Sequence, residues 1–239
     1  MSAKSLFRVS LLGLAAAMLL FNAGCALSRI KTATELAKIA EPYQANPASP
    51  AHRLLIVGDS TAVGTGATAP AKSVAGLIGR DHPDWQIVNR GRNGAKLAEV
   101  LQQLQGSGQR FDTVLVLAGG NDVMRLTGWA EVRRSVNQVV EAAAALAPRV
   151  VFMPSGNVGN APFFHAPISW YMSARSRELH QTVRETAARS GAAYVNLYKE
   201  PEDDPFVQQP ERMNAADMLH PSDDGYALWR GTLKAQAGF

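Results

Sequence analysis

The chain has 239 residues, 46% hydrophobic and 18% charged, with a mean hydropathy of -0.09. That is long and apolar enough for a domain with its own core, and it excludes a mainly disordered chain, a collagen-like repeat and a multi-pass membrane protein. The net charge of +4 falls to +2 once Lys4 and Arg8 of the leading segment are set aside, leaving 22 basic against 20 acidic residues, so charge gives no support to a nucleic-acid partner. The single cysteine, Cys25, cannot form an internal disulfide, and stability must come from packing.

Lys4 and Arg8 flank the start of an uncharged run from Val9 to Phe21, followed by Ala23 and Gly24 before Cys25. This is the layout of a bacterial export signal, so residues 1–25 are set apart from the fold and the protein is expected in the periplasm or cell envelope. The small-small-Cys ending resembles the lipobox of lipoproteins, which makes Cys25 a lipidation candidate and offers membrane anchoring through the N-terminus. Asn22 stands where that pattern wants an aliphatic residue, so ordinary cleavage and an uncleaved anchor stay open. Residues 26–53, rich in Ala, Pro, Ser and Gln, read as a linker, and the folded unit is expected over 54–239.

Within that unit, short apolar runs at 54–57 (LLIV), 85–89 (WQIVN), 113–117 (TVLVL), 150–153 (VVFM) and 192–197 (AAYVNL) predict buried parallel strands. Between them, residues 129–147 place Val132, Val136, Val139, Val140, Ala143 and Leu146 at helical spacing. Residues 71–80, 95–105, 170–189 and 223–236 predict further helices. Alternation of strand and helix with short connections argues an α/β domain, a parallel sheet with helices on both faces.

Ligands of such sheets sit beyond the carboxyl ends of the strands. The loops there carry Gly58-Asp59-Ser60, then Asn89-Arg90-Gly91-Arg92-Asn93-Gly94, then Gly119-Gly120-Asn121-Asp122, while Asp217 to Ser222 (DMLHPS) precedes the last helix. Ser60, at a turn that Gly58 permits, is a candidate nucleophile, although Asp59 and Ser60 alone would equally make an ordinary helix cap. His220 is the candidate base, because Asp217 three residues earlier can bond its Nδ1 and leave Nε2 free; alone, such a pair is also a common structural hydrogen bond. His82 and His180 read as helix-associated surface residues. The Asn121 amide and the N–H groups of Gly94 and Ser60 could together stabilise an oxyanion, though each also has an ordinary turn or capping role.

GDS at the first strand end, the glycine of VNRGRNG, GGND and DMLHPS together resemble the SGNH (GDSL-type) hydrolases, in the family's order and spacing from about Leu54 to the end. The resemblance implies a flavodoxin-like three-layer α/β/α fold with a five-stranded parallel sheet. It implies a serine hydrolase acting on carboxylic esters or thioesters, with no metal or cofactor. It assigns Ser60 as nucleophile, His220 as general base, Asp217 as its orienting acid, and Ser60, Gly94 and Asn121 as the oxyanion hole. Gly91 is the alternative in the second block, and Gly94 stands at the family's usual distance from the strand.

The Gly- and Pro-rich loop 154–170 carries Phe163, Phe164 and Trp170 and is expected either to wall an acyl pocket, with Met124 and Leu126, or to pack against the body. The acidic stretch 199–204 reads as solvated. Gly64 to Ala69 fits G-x-G-x-x-A, yet it starts too far past the first strand and no acid ends the second, so a dinucleotide site is set aside. Three readings are carried forward: an acyl esterase, lysophospholipase or thioesterase; a carbohydrate O-acetyl esterase; and a non-catalytic envelope binding module with the same fold.

Overall fold

A computed structural model describes residues 27–105 and 108–239. The export-signal and lipidation expectations at 1–25, Cys25 included, lie outside the described residues. Five parallel strands form one sheet: β1 (His52–Gly58), β2 (Trp85–Asn89), β3 (Thr113–Leu117), β4 (Arg149–Phe152) and β5 (Ala193–Tyr194), in the order β2-β1-β3-β4-β5. This is the flavodoxin-like three-layer architecture. The chain leaves β1 for one edge and β3 for the other, so a crevice opens between the loops that follow these two neighbours.

The continuous apolar runs resolve into two faces because side chains alternate along a strand. Leu55, Val57, Val114, Val116, Val150 and Phe152 pack on one side against α4 (Leu97–Gln103), α6 (Trp129–Leu146) and α7 (Ile168–Ser190). Leu54, Ile56, Leu115, Leu117 and Val151 pack on the other against α3 (Val74–Asp81) and α10 (Asp223–Ala237). Each such side chain contributes roughly 1.5–3 kcal/mol by leaving water, and both faces must be covered, hence a sheet between helical layers. Short helices α2 (Ser60–Val63), α5 (Gly120–Met124), α8 (Pro205–Gln208) and α9 (Pro210–Met213) fill the strand-end loops.

Two regions differ from the sequence expectation. The segment 26–53 is not a free linker over its described part: residues 27–39 form a helix, α1, and the chain then docks on the sheet. Its first half, unlike its second, lacks Pro and is carried by Ala, Leu and Lys with Glu35, all helix formers. Beyond it, Ala45 pairs antiparallel with Ile87, and the Gln44 side chain both donates to the Asn89 carbonyl and accepts from its N–H. These bonds cover the hydrogen-bonding edge that β2 would otherwise expose. The fifth strand is shorter than the run 192–197: it ends at Tyr194, because its neighbour β4 ends at Phe152.

Candidate active site

The GDS turn is built by the backbone. Gly58 ends β1 at φ +152°, and a Cβ there would lie 1.8 Å from the Leu117 carbonyl oxygen, so only glycine lets β1 and β3 run this close at the turn. Asp59 then caps α2, its Oδ1 accepting from the N–H and hydroxyl of Thr61 at 2.9 and 2.8 Å. The capping role open to Asp59 is thus the one it performs. Burial pushes the Asp59 carboxyl above its ordinary range, against the Thr61 donors and the nearby His220. Ser60, the first residue of α2, projects its hydroxyl beyond the sheet.

A chain of side chains meets that hydroxyl. Ser60 Oγ lies 2.9 Å from His220 Nε2, and His220 Nδ1 lies 2.5 Å from Asp217 Oδ2. Asp217 is fully buried, and its Oδ1 accepts from the N–H groups of Leu219 and His220 at 3.0 Å each. Burial alone would raise the Asp217 pKa, but the hydrogen bond and charge of His220 with these two donors outweigh it and hold the carboxyl below its usual value. An ionised Asp217 keeps the proton on Nδ1, so Nε2 presents a lone pair to the serine. The loop reaches this position because Gly66 has no side chain: a Cβ there would lie 2.5 Å from the Pro221 carbonyl oxygen and 2.9 Å from His220 Cβ.

Asn121 lines the same pocket as Ser60, whereas Gly94 lies on the loop that follows β2. Asn121 sits in the first turn of α5, which Gly119 precedes as its N-cap with φ +113°, and its Nδ2 donates one hydrogen to the Ala95 carbonyl at 3.2 Å, the other having no acceptor among the described residues. Gly94 turns at φ +75°, and its N–H finds no acceptor among the described residues. Gly91, the alternative, serves packing instead. A Cβ there would lie 2.8 Å from Ala62 Cβ, so its bare backbone allows the second loop to lie on α2.

Several buried groups that hold this arrangement carry no local sequence signal. The Gln103 side chain accepts from the Gly58 N–H at 2.8 Å and donates to the Gly58 carbonyl at 2.9 Å, pinning the residue where β1 ends. Asp122 accepts from the Leu97 N–H at 2.9 Å and so ties α5 to the start of α4. Arg175, reaching in from α7, donates to the carbonyls of Asp122, Val123 and Thr127 and stacks on Trp129. His180, expected at the surface, is 4% exposed. It lies on the α7 face that bears Leu179 and Val183, which pack on the sheet. Its Nε2 donates to the Ser155 carbonyl and its Nδ1 accepts from the Tyr194 hydroxyl, each at 2.7 Å, while burial drives its pKa down to about 4.

An apolar pocket opens from Ser60, Asn121 and His220. Met124 lines it, as the sequence suggested, together with Val158, Leu197, Phe206, Leu228 and Trp229. Phe163 and Phe164 do not line it: they stack edge-on at 5.0 Å, and Phe164 packs on the core beside α6 and α7. Trp170 is 71% exposed and Leu126 52% exposed, and neither lines the pocket. The packing alternative therefore describes the phenylalanines, while the loop itself does wall the pocket, through Ser155 to Val158 and Ala161, together with the segment after β5, α8 and α10. Nor is the 199–204 stretch solvated throughout: Asp204 is buried, accepts from Asn160 Nδ2 at 2.7 Å and caps α8. Among the described residues no group of three or more His, Cys, Asp or Glu side chains could hold a metal ion.

A flavodoxin-ordered sheet carrying a Ser-His-Asp chain at its switch point defines an SGNH-type hydrolase arrangement. The sequence model of the GDSL-like lipase/acylhydrolase family matches residues 56–228, and the chain belongs to that family. A comparison with curated proteins gives no sequence match. Solved structures are similar in fold. An α/β hydrolase enzyme from the metagenome of Lake Arreo, Spain, aligns over 80% of this chain and 96% of its own, with a TM-score of 0.63 and 20% identity. A member of the lipolytic protein G-D-S-L family from Veillonella parvula aligns over 78% and 98%, with a TM-score of 0.64 and 14% identity. An acetyl xylan esterase from Geobacillus stearothermophilus aligns over 80% and 96%, with a TM-score of 0.59 and 20% identity.

Proposed function

We propose that this chain hydrolyses carboxylic esters or thioesters through an acyl-Ser60 intermediate. Ser60 Oγ attacks the acyl carbonyl carbon while His220 Nε2 takes the hydroxyl proton, and Asp217 fixes the imidazole tautomer and offsets the charge that forms on it. The tetrahedral oxyanion accepts from the N–H groups of Ser60 and Gly94 and from the free hydrogen of the Asn121 amide. His220 then returns the proton to the departing alkoxide or thiolate. Water, activated by the same imidazole, releases the carboxylic acid and restores Ser60. The observation that carries this reading is the continuous Ser60–His220–Asp217 hydrogen-bond chain, at 2.9 and 2.5 Å.

The apolar walls beside Ser60, with Leu197, Phe206 and Trp229, favour an acyl group longer than acetate, as in an esterase, lysophospholipase or thioesterase. A carbohydrate O-acetyl esterase is the second reading, favoured by the structural likeness to an acetyl xylan esterase. The test is hydrolysis of p-nitrophenyl esters from acetate to palmitate by the protein from Leu27 onward, beside Ser60→Ala. Activity lost in the variant, with fluorophosphonate labelling of Ser60 in the wild type, supports the mechanism, and the chain-length optimum decides between the two substrate classes. Equal turnover by wild type and variant overturns it, and a Ser60 inert to the probe favours the non-catalytic binding module. Residues 1–25, acting as an export signal, would deliver the protein to the periplasm or cell envelope. The mass of the mature N-terminus separates lipidation at Cys25 from ordinary cleavage.

A further inference from the structure

We propose that Arg125 binds an oxyanionic group (phosphate, sulfonate or carboxylate) on the alcohol or thiol half of the substrate, and so selects esters with anionic leaving groups. The inference rests on the ester-hydrolase reading and deepens it. Arg125 follows α5 directly, its N–H donating to the Asn121 carbonyl at 2.9 Å, so it stands one helical turn from the amide that faces the oxyanion. Its guanidinium reaches over the neighbouring glycine: a Cβ on Gly94 would lie 3.0 Å from Arg125 Nη2. The cation therefore borders one wall of the proposed oxyanion hole.

That guanidinium is exposed, and no carboxylate or carbonyl among the described residues accepts from it. Other arginines are engaged: Arg90 with the Gln103 carbonyl, Arg175 with three carbonyls, Arg177 with Glu200 and Arg212 with Asp224. The acid nearest in sequence, Asp122, is buried and turned to the Leu97 N–H. Arg92, in the Gly94 loop, is likewise exposed without a side-chain acceptor among the described residues. An ester has two halves, and the apolar pocket running from Ser60 suits the acyl half. Neither Gly94 nor Arg125 lines that pocket. The proposal seats the other half outside that pocket, toward the Gly94 loop, where the guanidinium's planar fork of donors matches an oxyanion.

The test compares phenyl butyrate with 4-(butyryloxy)benzenesulfonate, two esters that share an acyl group and differ in leaving-group charge. The readout is the ratio of kcat/KM, anionic over neutral, in each protein, so intrinsic reactivity cancels between proteins. Arg125→Gln is expected to lower this ratio at least about tenfold, the loss of charge-assisted hydrogen bonds. Arg125→Lys recovers part of it, and added salt erodes the wild-type preference. Arg133→Gln, which removes a guanidinium paired with Glu178 between α6 and α7, keeps the wild-type ratio. An unchanged ratio in Arg125→Gln overturns the proposal. If the wild type hydrolyses neither ester and Ser60 does not react with a fluorophosphonate, the ester-hydrolase reading itself fails and this inference with it. The same ratio for an acylated glycerol phosphate and for an O-acetylated uronate, each against its neutral counterpart, tells phosphate from carboxylate by the larger Arg125-dependent preference.

Discussion

Replacing Asp217 by Asn keeps the size of the side chain and inverts its chemistry at one atom. Asp217 accepts three hydrogen bonds, two from backbone N–H groups at 3.0 Å on Oδ1 and one from His220 Nδ1 at 2.5 Å on Oδ2. The amide oxygen of Asn can keep the two backbone donors, which places its NH2 against His220 Nδ1. Two donors cannot share that contact, so the imidazole must put its proton on Nε2 and present a donor, not an acceptor, to Ser60. The loss of a correctly placed base is expected to lower kcat by about 10³–10⁴, equivalent to ~4–5.5 kcal/mol of barrier, as found for the analogous change in serine proteases. The assay is p-nitrophenyl butyrate hydrolysis with a parallel rate of fluorophosphonate labelling, on protein whose thermal unfolding shows it folded. A folded Asp217→Asn protein within tenfold of wild type would refute the role of Asp217 in fixing the tautomer.

Other consequences follow from the same geometry. Asn121→Ala should lower kcat by about 10²–10³ with little change in KM, because the amide is called on most in the transition state; steady-state kinetics separate the two. Gln103→Leu leaves the Gly58 N–H buried without a partner, while the Gly58 carbonyl keeps the Arg92 N–H, and should destabilise the fold by about 1–3 kcal/mol in urea unfolding. Because the His180 pKa falls from 6.5 to about 4 on burial, the unfolded chain binds the extra proton between those values. Stability is therefore full above about pH 6.5 and declines by ~3 kcal/mol as the pH falls to about 4. Urea midpoints across that range should slope less in His180→Gln, and equal slopes would count against a neutral buried imidazole.

What was legible in the sequence is what is encoded locally. A buried strand reads as a short apolar run, an amphipathic helix as a repeat near 3.6 residues, and four polar blocks after strands as a site, so Ser60, Asn121, Asp217 and His220 could be named and their elements placed within a few residues. Local composition failed where it averaged unlike segments: the prolines after residue 40 masked the helix formers of 27–39, and nothing nearby told that Ala45 would cap the edge of β2. Burial of one helix position, as at His180, depends on which face of α7 meets the sheet. The polar clamps on Gly58 and on α5 come from Gln103 and Arg175, 45 and about 50 residues away in sequence.

The pocket shows the same division most plainly. The aromatic residues of the 154–170 loop were the nearest candidates in sequence, yet the aromatic walls are Trp229 and Phe206, and the loop contributes Ser155 to Val158 and Ala161. Only the β2-β1-β3-β4-β5 order brings α10 beside the end of β5 and the loops after β1 and β3 together. Likewise, the approach of Arg125 to Gly94 joins residues on the loops after β3 and β2, two strands that flank β1 and do not pair with each other. Chain-local physics chooses the elements and presents the reacting groups at strand ends. The long-range pairing of the sheet decides which of those ends meet, and hence what surrounds the serine.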